Sequence, residues 1–351
     1  MLFHILPTLI DGPYGGGNQF AKALRLCFLR NNHYADNIDD ATILLFNGYP
    51  FRDLESFSRA CKWKQQKPES RLIITRLDGP IARGRHNPQA DSFDCILYEF
   101  SDMVSDGIVI QSHWSYEQMS LHPLAPKCPS VVIGNAPNPN IFYPPQKSIS
   151  CNGKIKVISS SWSANPHKGF DTYLWLDKNI DFGKFEFSIV APTNYKYDNI
   201  RVLAPVNQEA LASLLRESDA YITASRIESC SNAALEALHC GLPVIAPNDS
   251  SHPEFMPSGE LLFNAKEDIP KILESLSDNL EKYKKDIVVA SIDDIARQYI
   301  EFARELFLTP PKRISTSDLK LFLLDNNLSV NVFHIMKKTI KQQIKNAISR
   351  R

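Results

Sequence analysis

The sequence predicts an α/β protein built from two Rossmann-like, doubly wound domains that face a central cleft. Three observations predict it. Short apolar runs of strand length alternate with stretches of helical periodicity along most of the chain, the pattern of parallel strands covered by helices. A crowd of prolines and asparagines, from Asn135 to Pro145, interrupts that alternation as a linker does. The 351 residues exceed one ordinary domain, and 43% apolar content suffices for two cores. The expected organisation is therefore 1–145, 146–290, a further helical segment over 291–312, and a tail at 313–351.

Composition narrows the function. Formal net charge is zero, against bulk nucleic-acid binding. The seven cysteines are odd in number and scattered without a C-x-x-C pair, which argues against a disulfide framework or a structural zinc site and for a reducing cytoplasm. No metal site is expected. The start, MLFHILPTLI, has no basic region or cleavage pattern and reads as a first buried strand. No apolar run approaches the roughly 20 residues of a membrane span.

In the first half the expected strands are 2–9, 42–46, 71–75, 107–111 and 130–133, and the expected helices 19–30, 54–65, 91–105 and 115–120. The first connection carries Gly12, Gly15, Gly16 and Gly17 and opens a helix. Its spacing is not G-x-G-x-x-G, so a dinucleotide fingerprint fits poorly. The readings left are a tight turn, or a loop where the backbone at Gly16 and Gly17 lets a phosphate approach. The third strand ends in Thr75-Arg76-Leu77-Asp78-Gly79-Pro80, which places a guanidinium and a carboxylate at the carboxyl end of a strand, where open α/β sheets bind ligands. Asp78 is then expected to contact a bound ligand with Arg76 orienting it; the plainer reading is an internal Arg–Asp pair closing a turn. His113, at a helix start, is either a wall of the cleft or a solvated side chain.

The second half begins with a strand at 154–159. Lys168-Gly169 precedes a helix over 170–177, and a lysine ahead of a helix N-terminus can meet a diphosphate as a point charge. Strands follow near 185–190, 200–203 and 220–223, with an amphipathic helix at 208–216 between the last two. The stretch from Ser225 to Ile245, SRIESCSNAALEALHCGLPVI, reads as loop, helix and buried strand, with Gly241 ending the helix. Glu228 lies in the loop beyond a strand's carboxyl end. Glu236 lies on the helix among Ala233, Ala234, Leu235, Ala237 and Leu238, a poor place for a solvated charge. Between the two acids fall the first free N–H groups of the helix, near Ser231 and Asn232, which form an anion site. Carboxylates for sugar hydroxyls beside amides for a phosphate are the chemistry of a nucleotide-sugar pocket.

This stretch resembles the signature of the retaining glycosyltransferase family 4 (glycosyl transferases group 1), whose members have the GT-B fold. Glu228, Glu236, Ala237, Cys240-Gly241 and Pro243-Val244 meet its pattern. The resemblance implies a retaining enzyme that moves a sugar from a nucleotide-sugar donor to a hydroxyl of a glycan or lipid-linked acceptor, with no metal and no cofactor beyond the nucleotide-diphosphate sugar. It implies that Glu228 holds donor sugar hydroxyls, Glu236 the ribose, and that a glycine-rich loop follows the first strand. A basic pair on the diphosphate is also implied. Lys168 matches its second member; the first slot falls among Ser161, Trp162 and Ser163, and Arg226 is the candidate substitute. A similar Asp-Gly-Pro segment occurs in bacterial sugar transferases of this kind, often with a histidine where Thr75 stands here. An inactive nucleotide- or sugar-binding relative and a nucleotide-sugar epimerase of the same fold are the alternatives.

The last globular helix is expected at 292–307, and the resemblance implies that this segment, 291–312, crosses back to the first domain. Beyond it, Val332, Ile335, Met336, Ile340, Ile344 and Ile348 recur at helical spacing with Lys337, Lys338, Lys341 and Lys345 between them. That is either a basic amphipathic helix for an anionic membrane surface, over 332–351, or a helix packed on the body or a partner. The first reading puts the protein at the inner face of the cell membrane, in surface polysaccharide or lipopolysaccharide assembly.

Overall fold

The computed structural model describes residues 1–11, 15–47, 54–85, 90–145, 153–315, 317 and 322. The expected membrane helix at 332–351 and Gly12 of the first loop lie outside them.

The first sheet is parallel and runs in chain order: β1 (Phe3–Leu6), β2 (Ile43–Phe46), β3 (Leu72–Leu77), β4 (Gly107–Ile110) and β5 (Ser130–Val132). The chain does not pass directly from β1 to β2. It first crosses α1 (Gly16–Arg30) to the outer edge, where Tyr34 bridges Phe3, and then doubles back past β1. With the right-handed crossovers usual for parallel strands, such a reversal puts helices on both faces. Along β1 and β2, Phe3, Ile5, Ile43 and Leu45 pack towards α1, and Leu6, Leu44 and Phe46 pack towards α2 (Leu54–Gln66) and a later helix, Asp91–Val104. Strands buried on both sides read as continuous apolar runs, which is why the alternation of apolar segments was visible in the sequence. α3 (Ile81–Arg85), α4 (Asp91–Val104) and α5 (His113–Ser120) complete this domain.

The second sheet contains β6 (Ile155–Ser160), β7 (Phe185–Val190), β8 (Arg201–Leu203), β9 (Ala220–Ile222), β10 (Val244–Pro247) and β11 (Leu262–Phe263), in the order 11-10-9-6-7-8. This is the dinucleotide-type order with its reversal between β6 and β9, so the crevice beyond the carboxyl ends of those two strands is the ligand position. Its helices are α6 (Phe170–Asn179), α7 (Gln208–Arg216), α8 (Asn232–His239), α9 (His252–Phe255), α10 (Ile269–Asp278) and α11 (Leu280–Lys285).

α12 (Ile292–Leu306) opens on a Ser291/Asp294 capping box and crosses to the first domain. There Ile295, Tyr299, Phe302 and Leu306 share the core of α1, and Arg30 pairs with Asp293.

One local expectation is corrected. The strand expected after Gly241 begins at Val244, because Gly241 and Leu242 still donate to Leu238 and Ala237 and close the C-terminus of α8. Beyond β10 the polar stretch 248–251 leads into α9, with Pro253 in its first turn.

Candidate functional site

A polar cleft of about 520 Å3 separates the two domains. The second domain supplies Lys168 and Glu228, one from each side of the β6/β9 reversal, and they meet: Lys168 Nζ lies 2.5 Å from Glu228 Oε1. Ser225 donates a further hydrogen bond to the same oxygen. Burial pushes the Glu228 carboxyl up, but Lys168, Ser225 and the more distant His252 outweigh it and hold it below the usual range. Glu228 is therefore a carboxylate at neutral pH, already engaged by the cation beside it. His252 is fully buried nearby, its pKa lowered by burial, and its Nε2 has no hydrogen-bond partner among the described residues.

Ser231 is the N-cap of α8 and supplies no side-chain bond to it, so the first amides of the helix stay open. Asn232 lines the cleft. Glu236, one turn on, is only 6% exposed, and its carboxylate has no hydrogen-bond or ion-pair partner among the described residues. Burial alone pushes it up to about 8. It lies near Tyr221 of β9, whose hydroxyl bonds to Ser160 of β6, at the strand reversal rather than in the open cleft.

The first domain supplies the other wall. Asp78, Gly79, Pro80, Ile81 and Gln111 line it, with Gly17 from the first turn of α1. Asp78 accepts from Gln111 Nε2 at 2.8 Å and is in contact with Arg76. The side chain of Arg76 is directed inward. It is 3% exposed, stacks over Phe20 and donates to Asn135 Oδ1 at 2.9 Å, so it orients Asp78 and is removed from any ligand in the cleft. The expectation that Arg76 orients the substrate is corrected: in β3 it shares the face of Leu72 and Ile74, which is covered by α1 and α12. Burial pushes Asp78 up and bonds from Gln111 and Asn47 hold it down, while the adjoining guanidinium favours its charged form.

Gly16 faces α8 so closely that a Cβ there would come within 2.5 Å of Asn232 Nδ2. The N-termini of α1 and α8, both without side-chain caps, thus open on one space. Gly79, at φ +92°, approaches Ser229 of the other domain in the same way. The side chains of Arg226 and His113 are exposed and neither lines the cleft, although the Arg226 backbone N–H bonds to His167 O, beside Lys168. The pair Arg226–Lys168 is therefore not assembled as a clamp.

Sequence reasoning missed three residues. Asn135, read as part of a linker, is buried and donates both to Gln111 Oε1 (2.9 Å) and, across the domains, to Asn232 Oδ1 (3.1 Å). Asn165 Nδ2 donates to Gly84 O at 3.1 Å, again across the cleft. Glu254 accepts from the backbone N–H groups of His113 and Trp114 at 2.7 Å each, capping α5 from the opposite domain.

Residues 193–291 match the family model of glycosyl transferases group 1, a span that holds Glu228, Ser231, Asn232 and Glu236 but neither Lys168 nor Asp78. A curated relative, an uncharacterized 41.2 kDa protein in the cps region of Klebsiella pneumoniae, is 32% identical over 115 residues. The match covers 30% of this chain and spans about a third of the relative, 32% of its length. Among solved structures, the sucrose-phosphate synthase of Thermosynechococcus elongatus superposes with a TM-score of 0.59 at 13% identity, over 84% of this chain and 79% of that one. The catalytic domain of Arabidopsis thaliana starch synthase IV, bound to ADP and acarbose, gives 0.56 at 12%, over 84% and 79%. The pneumococcal O-GlcNAc transferase GtfA, in complex with UDP and GlcNAc, gives 0.55 at 13%, over 82% and 60%. At such identities the superpositions show the fold, which is GT-B, and together with the family model they support the glycosyl transferases group 1.

Proposed function

We propose that the protein is a retaining glycosyltransferase that moves a sugar from a nucleotide-diphosphate sugar to a hydroxyl of a glycan or lipid-linked acceptor. The observation that carries this is the Lys168–Glu228 pair at the strand reversal of the second domain, beside the open amides of α8 and facing Asp78. Departure of a nucleotide diphosphate leaves positive charge on the sugar ring and negative charge on the phosphate. Lys168 and the amides at Ser231-Asn232 stabilise the second, in a cleft that excludes water when the domains close. Glu228 accepts from donor sugar hydroxyls and Glu236 from the ribose. Asp78, fixed by Arg76 and Gln111, accepts from the acceptor hydroxyl. The leaving phosphate takes the acceptor's proton on the face it departs from, so configuration is retained without a separate base. No metal and no further cofactor are required by this scheme.

The cps region of the Klebsiella relative supports surface polysaccharide assembly as the setting. No helix among the described residues is long and apolar enough to cross a membrane. Attachment of the basic 332–351 segment to an anionic membrane is tested by liposome co-sedimentation of a chain ending at 329, which should lose binding.

Calorimetric titration with UDP, GDP and ADP tests the donor site: one nucleotide should bind and Glu236→Ala should abolish it. NMR of the product formed with sugars on that base then reads the anomeric configuration. Inversion refutes the retaining mechanism, and failure of every nucleotide to bind refutes the whole reading. A binding-only relative is favoured by one observation: Lys168, the one basic side chain among the described lining residues, is already held by Glu228. Nucleotide binding without transfer to any acceptor would establish it.

A further inference from the structure

At the other end of α8 lies a second cavity, of about 550 Å3 against about 520 Å3 for the cleft. Both chain connections between the domains wall it: Phe142 and Tyr143 from the first, Ile287 and Val289 from the second. The last turn of α8 and its exit, Leu238 to Leu242, form the floor. The volume is that of a small-molecule pocket.

Its chemistry differs from that of the cleft. The cleft presents Asp78, Gln111, Asn165, Lys168, Glu228 and Asn232; this cavity presents prolines, aromatic rings and aliphatic side chains. Its charges are mutually compensated. Arg216 donates to Ile141 O at 2.8 Å and lies 4.4 Å from the centre of the Tyr143 ring. Lys284 sits between Asp219 and Glu281 at 3.9 and 3.7 Å. Two cations and two carboxylates leave no net charge to attract an ion, and burial keeps His239 neutral by lowering its pKa. The hydroxyls of Ser218 and Ser291 give their protons to Leu214 O and Asp294, so the hydrogen-bond donors left at the wall are the further N–H groups of Arg216 and Lys284.

The position ties the cavity to the cleft. α8 is one rigid element of eight residues, about 12 Å long. Its first residue, Asn232, bonds to Asn135 of the other domain. At its far end, a Cβ on Gly241 would touch Pro144 of the first connection at 3.4 Å. A molecule that parts the two connections therefore displaces the helix whose other end forms the cleft.

We propose that this hinge cavity is an effector site for a small uncharged amphiphile, with a flat apolar body and one hydrogen-bonding end, and that its occupancy sets how far the two domains close.

The probe is prodan, a neutral naphthyl ketone of that shape. Its emission should rise and shift to the blue saturably, at one site per chain. Val289→Trp, which fills the cavity, should weaken binding at least tenfold, with Ile287→Trp as a second filler should the first fail to fold. Ser163→Trp, placed in the cleft, should leave binding unchanged. Small-angle X-ray scattering should show a changed radius of gyration with the probe in the wild type and not in the filled variant. No saturable binding, binding undiminished in the folded fillers, loss in Ser163→Trp alone, or scattering unmoved by bound probe would overturn the proposal. None of these readouts uses nucleotide or transfer activity, so they fail independently of the glycosyltransferase reading.

Discussion

Glutamine at position 236 removes a charge that the fold buries without compensation. The carboxyl of Glu236 is pushed up to about 8 in the folded chain because burial disfavours its charged form, whereas in the unfolded chain it has its ordinary value of 4.5. Between those values the folded state holds a proton that the unfolded state has released. Stability must then fall as pH rises through this window. At about 1.4 kcal/mol per unit, the contribution is roughly 5 kcal/mol, absent below the unfolded value and complete above pH 8, and most of it develops between pH 5 and pH 9. Glu236→Gln has no such term. Its buried amide costs a pH-independent amount, about 1–3 kcal/mol, for unmade hydrogen bonds. The two proteins, compared by urea unfolding at pH 5, 7 and 9, should therefore diverge steadily, the glutamine variant gaining relative to the wild type by roughly 4 kcal/mol from the lowest to the highest pH. Other titrating groups cancel in the comparison. A difference that stays constant over pH 5–9 would refute the claim that Glu236 is buried and unpaired. The same variant should lose nucleotide binding, because ribose hydroxyls that donate to Glu236 favour its charged form, a stronger acceptor than the amide oxygen of glutamine.

Two other residues give sharp tests. Lys168→Ala should lower kcat by about 10^2–10^3, the usual loss for one group on a developing negative charge. It should also move the acidic limb of the pH–rate profile upward, because Glu228 then keeps its burial and loses the ammonium that opposes it; an unmoved profile would separate the two residues. Glu254→Ala removes both bonds that cap α5 from across the cleft. Being exposed, they should contribute a few-fold to about tenfold to domain closure, read as a larger radius of gyration and a matching rise in donor KM with kcat little changed; a normal radius would show that the latch contributes nothing.

Glu228, the open amides at Ser231-Asn232 and Glu236 were legible because one continuous stretch, strand to loop to helix to strand, places all of them. Local signals suffice there: an apolar run, a polar turn, a helical period and Gly241. Asp78 was legible for the same reason, as a polar residue at the end of an apolar strand. Arg76 was misassigned for want of one fact. Period-two alternation puts it on the face of Leu72 and Ile74, yet that face is buried only because α12, more than 200 residues later, returns to cover it. The contacts of Glu254 with α5, Asn135 with Asn232 and Gly79 with Ser229 join residues 97 to 150 positions apart. Neither periodicity nor turn chemistry carries information about which surfaces meet when two domains close.

The pairing of Lys168 with Glu228 shows what such a contact adds to residues already visible. Taken singly, one is a phosphate cation and the other a sugar acceptor. Held 2.5 Å apart, they are one unit, since the ammonium keeps the half-buried carboxylate charged. A diphosphate that draws Lys168 away leaves Glu228 half-buried with Ser225 and short of partners, and sugar hydroxyls are what can replace the lost bond. Nucleotide and sugar should then bind cooperatively through this pair: the diphosphate alone exposes an unmet carboxylate, and the nucleotide sugar satisfies it. Comparing the affinity of the free nucleotide with that of its sugar conjugate, in the wild type and in Glu228→Gln, measures the coupling. The conjugate's advantage should shrink in the variant, and an advantage that survives unchanged would show that the two residues act separately.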